Sequence, residues 1–304
     1  KLTIVDKENG GKADALNLGI NIAKHKYIAC IDVDCILEYD ALLKLVKPFL
    51  EGSKKVIATG GVVRIANSCE VKAGHITKVN LPKSFIARFQ VLEYLRAFLM
   101  GRIAWGKING LLLISGAFGM FDKEIVIEAG GYDTKTVGED MELVVRMRRY
   151  MHDKKINYTV AFIPDPLCWT EVPESWKILQ RQRNRWARGT FETLWIHRKL
   201  ILNPKYKTMG LVSLPFWILF EWLAPLIELT GILLFALMVF LNLANWTYFF
   251  SFLILVYCFS VMFTLYAIWF EEHAYQQYKN PKNILILLGT CLIEPFFYHP
   301  LVMF

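Results

Sequence analysis

The sequence predicts an α/β domain with a mixed, mostly parallel sheet, followed by interfacial helices and an α-helical transmembrane region. Short apolar runs of strand type alternate with helical patterns in the first part of the chain, which is typical of an α/β domain. The chain is 55% hydrophobic, yet its charged residues fall almost entirely before residue 210. A polar front therefore precedes an apolar tail that suits a bilayer.

Two changes in composition divide the chain. Residues 1–172 form the predicted α/β domain, residues 173–210 the interfacial helices and residues 211–304 the transmembrane region. Lys1 has no preceding methionine or signal sequence, so we expect the sequence to begin inside the first domain, with its N-terminal part missing.

The formal net charge of +8 does not indicate nucleic acid, because no run of Arg and Lys with interleaved aromatic residues occurs. The basic residues cluster at 146–149 and 181–188. Such clusters suit an anionic nucleotide and an anionic cytoplasmic leaflet, although a general excess of basic residues on the cytoplasmic side explains them equally well. The cysteines and histidines have no spacing typical of zinc sites or disulfide scaffolds, which fits a reducing compartment.

Strands and helices alternate at the start of the chain. This order predicts parallel strands whose carboxyl ends carry the site. The predicted elements are a strand over Leu2–Val5 that ends at Asp6, a helix from the Gly10-Gly11-Lys12 turn through Lys24, a strand over Lys26–Ile31, a helix over Tyr39–Leu50 and a strand over Val56–Ile65.

Asp32 and Asp34 follow the second strand at a spacing of two, so both carboxylates can face one side. Mg²⁺ or Mn²⁺ bridging a diphosphate uses such a pair, because it keeps few protein ligands and takes the others from phosphate and water. Taken alone, the pair is more typical of a solvated turn than of a metal site. Lys12, at the start of the preceding helix, could meet a phosphate or a nucleobase edge, or could occupy an ordinary exposed turn.

Residues 84–108 carry an apolar stripe at helical spacing. A helix in the membrane interface explains the mixture of aromatic residues and arginine, and a helix that faces the core of the soluble domain explains the stripe. In the next segment, Leu111–Phe121, a predicted strand runs into Ser115 and Gly116, where the backbone could approach a sugar chain closely or make a tight turn.

Gly138, Glu139 and Asp140 open a predicted helix after the Gly130-Gly131 turn. Asp140 could cap this helix. It could also be a general base, because transfer to a hydroxyl needs a carboxylate that is separate from the metal-binding pair.

A second helix, Gln180–Arg198, begins after Ser175 as its possible N-cap. Gln182, Arg185 and Trp186 lie on adjoining turns of one surface, so an amide, a guanidinium and an indole can converge on a substrate. An amphipathic basic helix at a membrane surface is the alternative, and we favour it for Arg181, Arg183 and Arg188. Trp186 could likewise be a membrane anchor.

The apolar tail is long enough for three spans. Leu211–Leu243 exceeds the bilayer core, and Pro215 and Pro225 predict a break between an entry piece and a first span. Glu221, Glu228 and Glu294 should face a bundle interior, a water-filled path or each other, because acids seldom face lipid. The predicted spans are Leu226–Leu243, Tyr248–Phe270 and Ile284–Phe304.

Asp-x-Asp, Gly-Glu-Asp and Gln-x-x-Arg-Trp, in this order, resemble the processive family 2 glycosyltransferases, the membrane synthases of cellulose, chitin, hyaluronan and poly-N-acetylglucosamine. The resemblance implies a GT-A fold and an inverting, metal-dependent β-glycosyltransferase that polymerises a UDP-sugar and exports the polysaccharide. One departure is Gly138, where this family frequently has Thr. The implied roles are catalysis by Asp140, donor binding by Asp6, Lys12, Asp32, Asp34, Gln182 and Arg185, acceptor binding by Ser115, Gly116, Glu139 and Trp186, and binding of Mg²⁺ or Mn²⁺ by Asp32 and Asp34.

The resemblance also implies partners and a location. We expect three partners, namely a UDP-sugar donor, a growing polysaccharide acceptor and the lipid bilayer, and no nucleic acid. Accessory export subunits are further candidate partners. The protein should be integral to the cytoplasmic membrane with its catalytic domain in the cytosol. The rival enzyme is a non-processive transferase of one sugar to a lipid carrier, and a different class is a membrane transporter or scaffold with a degenerate α/β domain.

Overall fold

The computed structural model describes residues 2–303. Lys1 begins the predicted α/β domain and Phe304 ends the predicted transmembrane region, and both lie outside the described residues. The strands are β1 (Tyr27–Ile31), β2 (Ile36–Leu37), β3 (Lys55–Ile65), β4 (Glu70–Lys72), β5 (His75–Lys78), β6 (Phe118–Asp122) and β7 (Tyr158–Thr170). The α-helices are α1 (Lys12–Ile22), α2 (Ala41–Glu51), α3 (Phe85–Tyr94), α4 (Ile103–Lys107), α5 (Lys123–Glu128), α6 (Glu139–Asp153), α7 (Trp176–Ile196), α8 (Leu214–Phe216), α9 (Ala224–Phe240), α10 (Trp246–Tyr275) and α11 (Pro281–Met303).

A five-stranded mixed sheet in the order β1-β6-β3-β7-β2 forms the centre of the first domain. Strands β1, β3 and β7 run in one direction, while β6 and β2 run against them. The mixed sheet is therefore confirmed. Antiparallel β6 lies between β1 and β3 and pairs with both strands.

Two predicted strands differ from the structure. Residues 2–11 are exposed and form no strand, so Leu2–Val5 has no place in the sheet. In Leu111–Phe121 only the end pairs as β6, and Ser115 and Gly116 precede this strand instead of following one. The physical reason is that the Leu111 carbonyl accepts a hydrogen bond from the buried Arg148 guanidinium, which occupies a group that a strand would offer to its neighbour.

The stripe in residues 84–108 faces the protein. Helix α3 continues as a π-helical segment, Leu95–Arg102, and then as α4. This composite helix packs against β3, α10 and α11, so the core-facing interpretation accounts for the stripe. The buried stripe residues are Phe89, Leu92, Leu95, Phe98 and Leu99.

Helices α10 and α11 are long and apolar enough to cross a membrane. The segment Met209–Trp222, which we call the entry segment, meets α9 at an angle of 53°, and together the two form one bent candidate span. The break lies beside Pro225, in the first turn of α9, as predicted.

The three tail acids differ in their surroundings. Glu294 is 4% exposed and pairs with Arg96 of the π-helical segment at 2.9 Å, while Glu228 lies 3.1 Å from His299. Glu294 therefore faces the bundle interior, one of the expected places. Glu221 is exposed on the entry segment and does not face an interior within the described residues.

Candidate active site

Asp32 and Asp34 lie on a turn directly after β1. The Asp32 N–H donates to the Ala117 carbonyl at 3.1 Å, and the Cys35 N–H donates back to the Asp32 carbonyl at 3.2 Å. The strand spacing that we used to place both carboxylates on one side therefore does not apply. The turn leaves Asp32 half-buried and Asp34 exposed at the carboxyl end of β1.

Lys12 connects the first and second acidic motifs. It begins α1 directly after Gly11, whose φ of 87° lies in the left-handed region that favours glycine. Its Nζ lies 2.6 Å from Asp32 Oδ1 and 3.4 Å from Glu139 Oε1. Burial works against the charge, but the hydrogen bond and ion pair with Asp32 outweigh it and raise the pKa of Lys12 above its usual value.

Asp140 sits at the start of α6, beside Lys12. Its carboxylate accepts hydrogen bonds from the Gly116 N–H at 3.1 Å and from the Met141 N–H at 2.8 Å. A Cβ at position 116 would lie 3.1 Å from Lys12 Nζ and 3.2 Å from Asp140 Oδ2. Because Gly116 has no side chain, the Lys12 ammonium and the Asp140 carboxylate can both lie close to its backbone. The N-cap position of α6 is occupied by Gly138 and not by Asp140.

Burial raises the pKa of the Asp140 carboxyl above its usual value, and the negative charge of Glu139 raises it further. Hydrogen bonds from two backbone N–H groups and the charge of Lys12 act in the opposite direction. A carboxylate with a raised pKa is a stronger base, which suits it to take a proton from a hydroxyl.

A small cleft opens beside these groups. Asn17 of α1 holds one wall in place, since its side chain accepts from the Tyr132 N–H at 2.7 Å and donates to the Tyr132 carbonyl at 2.8 Å. The lining includes Lys12, Leu16, Cys30, Ser115, Gly116, Tyr132, Glu139 and Asp140. The cleft thus unites predicted residues from three separate parts of the sequence.

Helices α6 and α7 cross at two glycines. A Cβ at Gly138 would lie 2.7 Å from the Gly189 Cα, so no side chain fits there. Glu192, one turn beyond Gly189, accepts hydrogen bonds from the Thr136 hydroxyl at 2.8 Å and the Val137 N–H at 3.0 Å. These contacts explain why this chain has Gly138 at the position where Thr is frequent. They also hold α7 against the N-terminal end of α6.

The Gln-x-x-Arg-Trp motif lies on α7 as predicted. Gln182, Trp186 and Gly189 follow the i, i+4, i+7 spacing of one helix face, so the motif shares a face with the contact to α6. Trp186 is 40% exposed, and Arg185 is exposed. Among residues 2–303, no hydrogen bond or ion pair joins Gln182 or Arg185 to Lys12 or to the acidic residues around it. The Gln182 Oε1 is buried, and no described residue is its hydrogen-bond partner.

Arg183 differs from its expected place at the membrane surface. Its guanidinium donates to Glu93 at 2.7 Å and to the Tyr298 hydroxyl at 3.2 Å, and it lies 4.5 Å from the centre of the Trp186 ring. The expectation was wrong for Arg183 because acidic Glu93 on α3 gives the guanidinium a partner inside the protein. Arg183 thereby ties α7 to α3 and α11 and covers one face of the Trp186 indole.

Asp6 and Ser115, two predicted site residues, differ in their positions relative to the cleft. Asp6 is exposed in the irregular segment before α1, and no hydrogen bond or ion pair joins it to Lys12 or Asp32 in the described part of the chain. Ser115 lines the cleft, and its hydroxyl accepts from the Ala117 N–H at 3.4 Å. The structure thus brings Ser115 into the cleft but does not bring Asp6 there.

The acidic turn fits a divalent metal. Within residues 2–303, no three His, Cys, Asp or Glu side chains gather as a complete protein cage. Asp32 and Asp34 supply hard carboxylate oxygens on the turn after β1, and Mg²⁺ or Mn²⁺ at such a site takes its other ligands from a diphosphate and water. The donor set therefore suits a metal that arrives with a phosphorylated substrate.

Sequence reasoning missed Asn17, Gly189 and Glu192, which hold the site together. Gly189 had a detectable signal, because it extends the helical stripe of Gln182 and Trp186 by one turn and adds a small residue suited to a close crossing. Asn17 and Glu192 had none, since their partners lie far away in the sequence.

Comparisons with known proteins place the chain in a family. The glycosyl transferase family group 2 matches residues 27–270. The poly-beta-1,6-N-acetyl-D-glucosamine synthase of Staphylococcus aureus (strain COL) is 32% identical over 232 residues, which cover 75% of this chain and 49% of that protein. The corresponding synthase of Staphylococcus epidermidis is 31% identical over 265 residues, covering 85% of this chain and 56% of that protein. This chain therefore spans about half the length of the curated relatives it matches.

The fold has a counterpart among solved structures. A mannosyltransferase from Pyrobaculum calidifontis, in complex with GDP-Man and Mn²⁺, aligns with a TM-score of 0.55 and 16% sequence identity, covering 96% of this chain and 68% of that one. This likeness confirms the GT-A architecture. The family match covers most of the chain and the sequence relatives are polysaccharide synthases, so the chain belongs to glycosyl transferase family group 2.

Proposed function

We propose that this protein is an inverting, processive β-glycosyltransferase that polymerises a sugar from a UDP-sugar donor and exports the polysaccharide across the membrane. The observation that carries this proposal is the gathering of Asp32, Lys12, Glu139 and Asp140 around Gly116, in a chain with helices suited to a bilayer. The sequence relatives, which are synthases of an N-acetylglucosamine polymer, support it.

The donor diphosphate would lie at the carboxyl end of β1. Asp32 and Asp34 would hold Mg²⁺ or Mn²⁺, which neutralises charge on the departing nucleoside diphosphate. Lys12 would exchange part of its pairing with Asp32 for a phosphate oxygen. Gln182 and Arg185, from α7, are proposed to reach the same diphosphate, and Asp6 the nucleotide.

Asp140 would take the proton from the acceptor hydroxyl. As the proton leaves, the hydroxyl oxygen attacks the anomeric carbon, the bond from that carbon to the diphosphate oxygen breaks, and the nucleoside diphosphate departs with the bonding electrons. A single displacement inverts the anomeric centre, so an α-linked donor yields a β-linked product. The raised pKa of Asp140 makes its carboxylate a more effective acceptor for this proton.

The acceptor sugar would occupy the side of the cleft that faces α7. Trp186 keeps 40% of its surface exposed, and an accessible indole is suited to stack on a pyranose. Ser115 and Glu139 would hydrogen-bond the sugar, with Gly116 allowing close approach of the backbone.

The proposed export follows from the membrane helices. With the catalytic domain in the cytosol, the entry segment and α9 would lead outward, α10 would return, and α11 would lead outward again. The protein would reside in the cytoplasmic membrane, and accessory export subunits could join it there.

The test is to incubate membranes containing the protein with individual radiolabelled UDP-sugars and to digest the product with linkage-specific hydrolases. We expect one donor to give a high-molecular-weight, β-linked polymer. A product with one sugar per lipid would replace processive synthesis with transfer to a lipid carrier. A folded protein that binds no nucleotide would refute the enzymatic proposal and favour a scaffold.

A further inference from the structure

Arg183 lies at the junction of three helices. Leu179, one turn before it on α7, belongs to a small buried cluster with Phe89 of α3 and Tyr298 of α11. The rings of Phe89 and Tyr298 stack with their centres 5.1 Å apart. Because residues four apart on a helix share a face, Arg183 extends from α7 beside this cluster. Helices α3, α7 and α11 therefore meet at Arg183.

The guanidinium of Arg183 is fixed by a fork of hydrogen bonds. Its two terminal nitrogens donate to the two carboxylate oxygens of Glu93 at 2.5 and 2.7 Å. The Tyr298 hydroxyl donates to Glu93 at 2.8 Å and accepts from Arg183 at 3.2 Å. A bidentate pair sets both the position and the plane of a guanidinium, which a single contact does not.

The fixed guanidinium lies over the Trp186 indole. The central carbon of the Arg183 guanidinium is 4.5 Å from the centre of the ring, within the range of an attractive cation–π contact. Residues three apart on a helix are neighbours, so this contact needs no distortion of α7. Trp186 remains 40% exposed. Arg183 thus connects a buried cluster of three helices to an indole that solvent and ligands can reach.

We propose that Arg183, held by Glu93 and Tyr298, is a positioning residue that fixes the Trp186 indole in the orientation that stacks on the acceptor sugar. The inference rests on the proposed function, because it takes Trp186 as an acceptor-binding residue. An indole that is already ordered loses less freedom when the sugar binds, so the acceptor binds more tightly. A cluster that only joined three helices would stabilise the protein without acting through Trp186.

The test is a double-mutant cycle between Arg183→Met and Trp186→Ala. Short oligosaccharides of the sugar that the wild-type protein polymerises serve as added acceptors. Three quantities are measured on matched amounts of folded protein, namely the acceptor KM, the release of UDP to water without acceptor, and the affinity for UDP with Mn²⁺. Residues that act as one unit give non-additive effects, whereas the effects of independent residues add.

We expect Arg183→Met to raise the acceptor KM by about two- to tenfold, which corresponds to the cost of ordering one side chain on binding. UDP release to water and UDP affinity should stay near their wild-type values. In the Trp186→Ala background, the same substitution should cause no further rise in KM. Glu93→Gln and Tyr298→Phe keep the shapes of their side chains and weaken the fork, so each should give a smaller rise that also disappears in Trp186→Ala.

Arg96→Met is the matched control for the loss of an arginine–glutamate pair between helices. Arg96 of the π-helical segment pairs with Glu294 of α11 at 2.9 Å and donates to the Thr264 hydroxyl of α10 at 2.8 Å. None of its side-chain hydrogen bonds within residues 2–303 reaches α7. Any rise in the acceptor KM that Arg96→Met causes should therefore add in full to that of Trp186→Ala.

Two results for Arg183 would overturn the inference. A rise in KM that is equally large in the Trp186→Ala background would show that Arg183 acts independently of the indole. An unchanged KM in the folded Arg183→Met variant would remove its positioning role. If Arg183→Met does not fold, Glu93→Gln decides by the same two criteria.

The failure of the inference and that of the proposed function are distinguishable. An unchanged acceptor KM in Trp186→Ala would remove the acceptor role of Trp186 and the inference with it, while polymer formation by the wild type would still support the glycosyltransferase. By contrast, a wild-type protein that neither binds a nucleotide nor forms polymer would refute the proposed function itself.

Discussion

Replacing Gly138 with alanine should test how closely the helix of the general base and the helix of the Gln-x-x-Arg-Trp motif must pack. The new methyl carbon would lie 2.7 Å from both the Cα and the carbonyl oxygen of Gly189. Ordinary carbon contacts are about 3.5–4.0 Å, so α6 and α7 must separate by roughly 1 Å. Both atoms belong to the backbone, so no side chain can rotate away to relieve the contact.

The expected cost has two parts. Overpacking of this kind destabilises a protein by about 1–3 kcal/mol. A displacement of about 1 Å between catalytic groups can lower the rate about 100-fold, or roughly 2.7 kcal/mol of activation free energy. Nucleotide affinity should change less than the transfer rate, because Asp32, Asp34 and Lys12 lie on other elements and only Gln182 and Arg185 of the proposed donor-binding residues lie on α7.

The assay measures polymer formation, UDP affinity and the thermal unfolding midpoint of Gly138→Ala in detergent. Gly19→Ala is the matched control, because a Cβ at this exposed position in α1 meets nothing within 4 Å. This control should keep its activity and gain up to about 1 kcal/mol of stability. Wild-type rate and stability in Gly138→Ala would refute the close crossing.

Three other substitutions or conditions probe the site. Asp34→Ala should lose the enhancement of UDP binding by Mn²⁺, and equal enhancement in variant and wild type would exclude Asp34 as a metal ligand. Trp186→Ala should weaken acceptor contact by about 1–3 kcal/mol and impair chain extension more than UDP release to water, whereas a membrane anchor would lose both together. The transfer rate should fall as the pH drops through the pKa of Asp140, since protonation removes the base. Burial places this acid limb above the usual carboxyl range, and an acid limb at the value of a solvated carboxyl would contradict the argument.

The sequence predicted the elements with strong local patterns. The apolar run before Asp32 became β1, and the apolar stretches after Pro225 became α9, α10 and α11. Leu2–Val5 had the composition of a strand, but a strand needs a hydrogen-bonded neighbour, and its segment finds none within residues 2–303. Strand β6 lies antiparallel between β1 and β3, and this pairing joins residues that are far apart in the sequence. Local hydrophobic periodicity does not predict such pairing.

The candidate site was predicted by residue type more than by geometry. Asp32 and Asp140 were found because acids in two separated motifs suit two chemical tasks. Their connection through Lys12 and Gly116 depends on tertiary packing, which spacing alone could not reveal. Arg183 was misjudged because its partner Glu93 lies ninety residues earlier in the chain.

The most direct test of the account is the transfer rate of Asp140→Asn. Asparagine keeps the shape of the side chain and one oxygen acceptor for the Gly116 or Met141 N–H, so the fold should persist, but it cannot take a proton. We predict that polymer formation falls by about 10²–10⁴-fold while UDP affinity with Mn²⁺ stays within a few fold. Substantial polymer synthesis by Asp140→Asn, or loss of UDP binding in the folded variant, would contradict the assignment of Asp140 as the base.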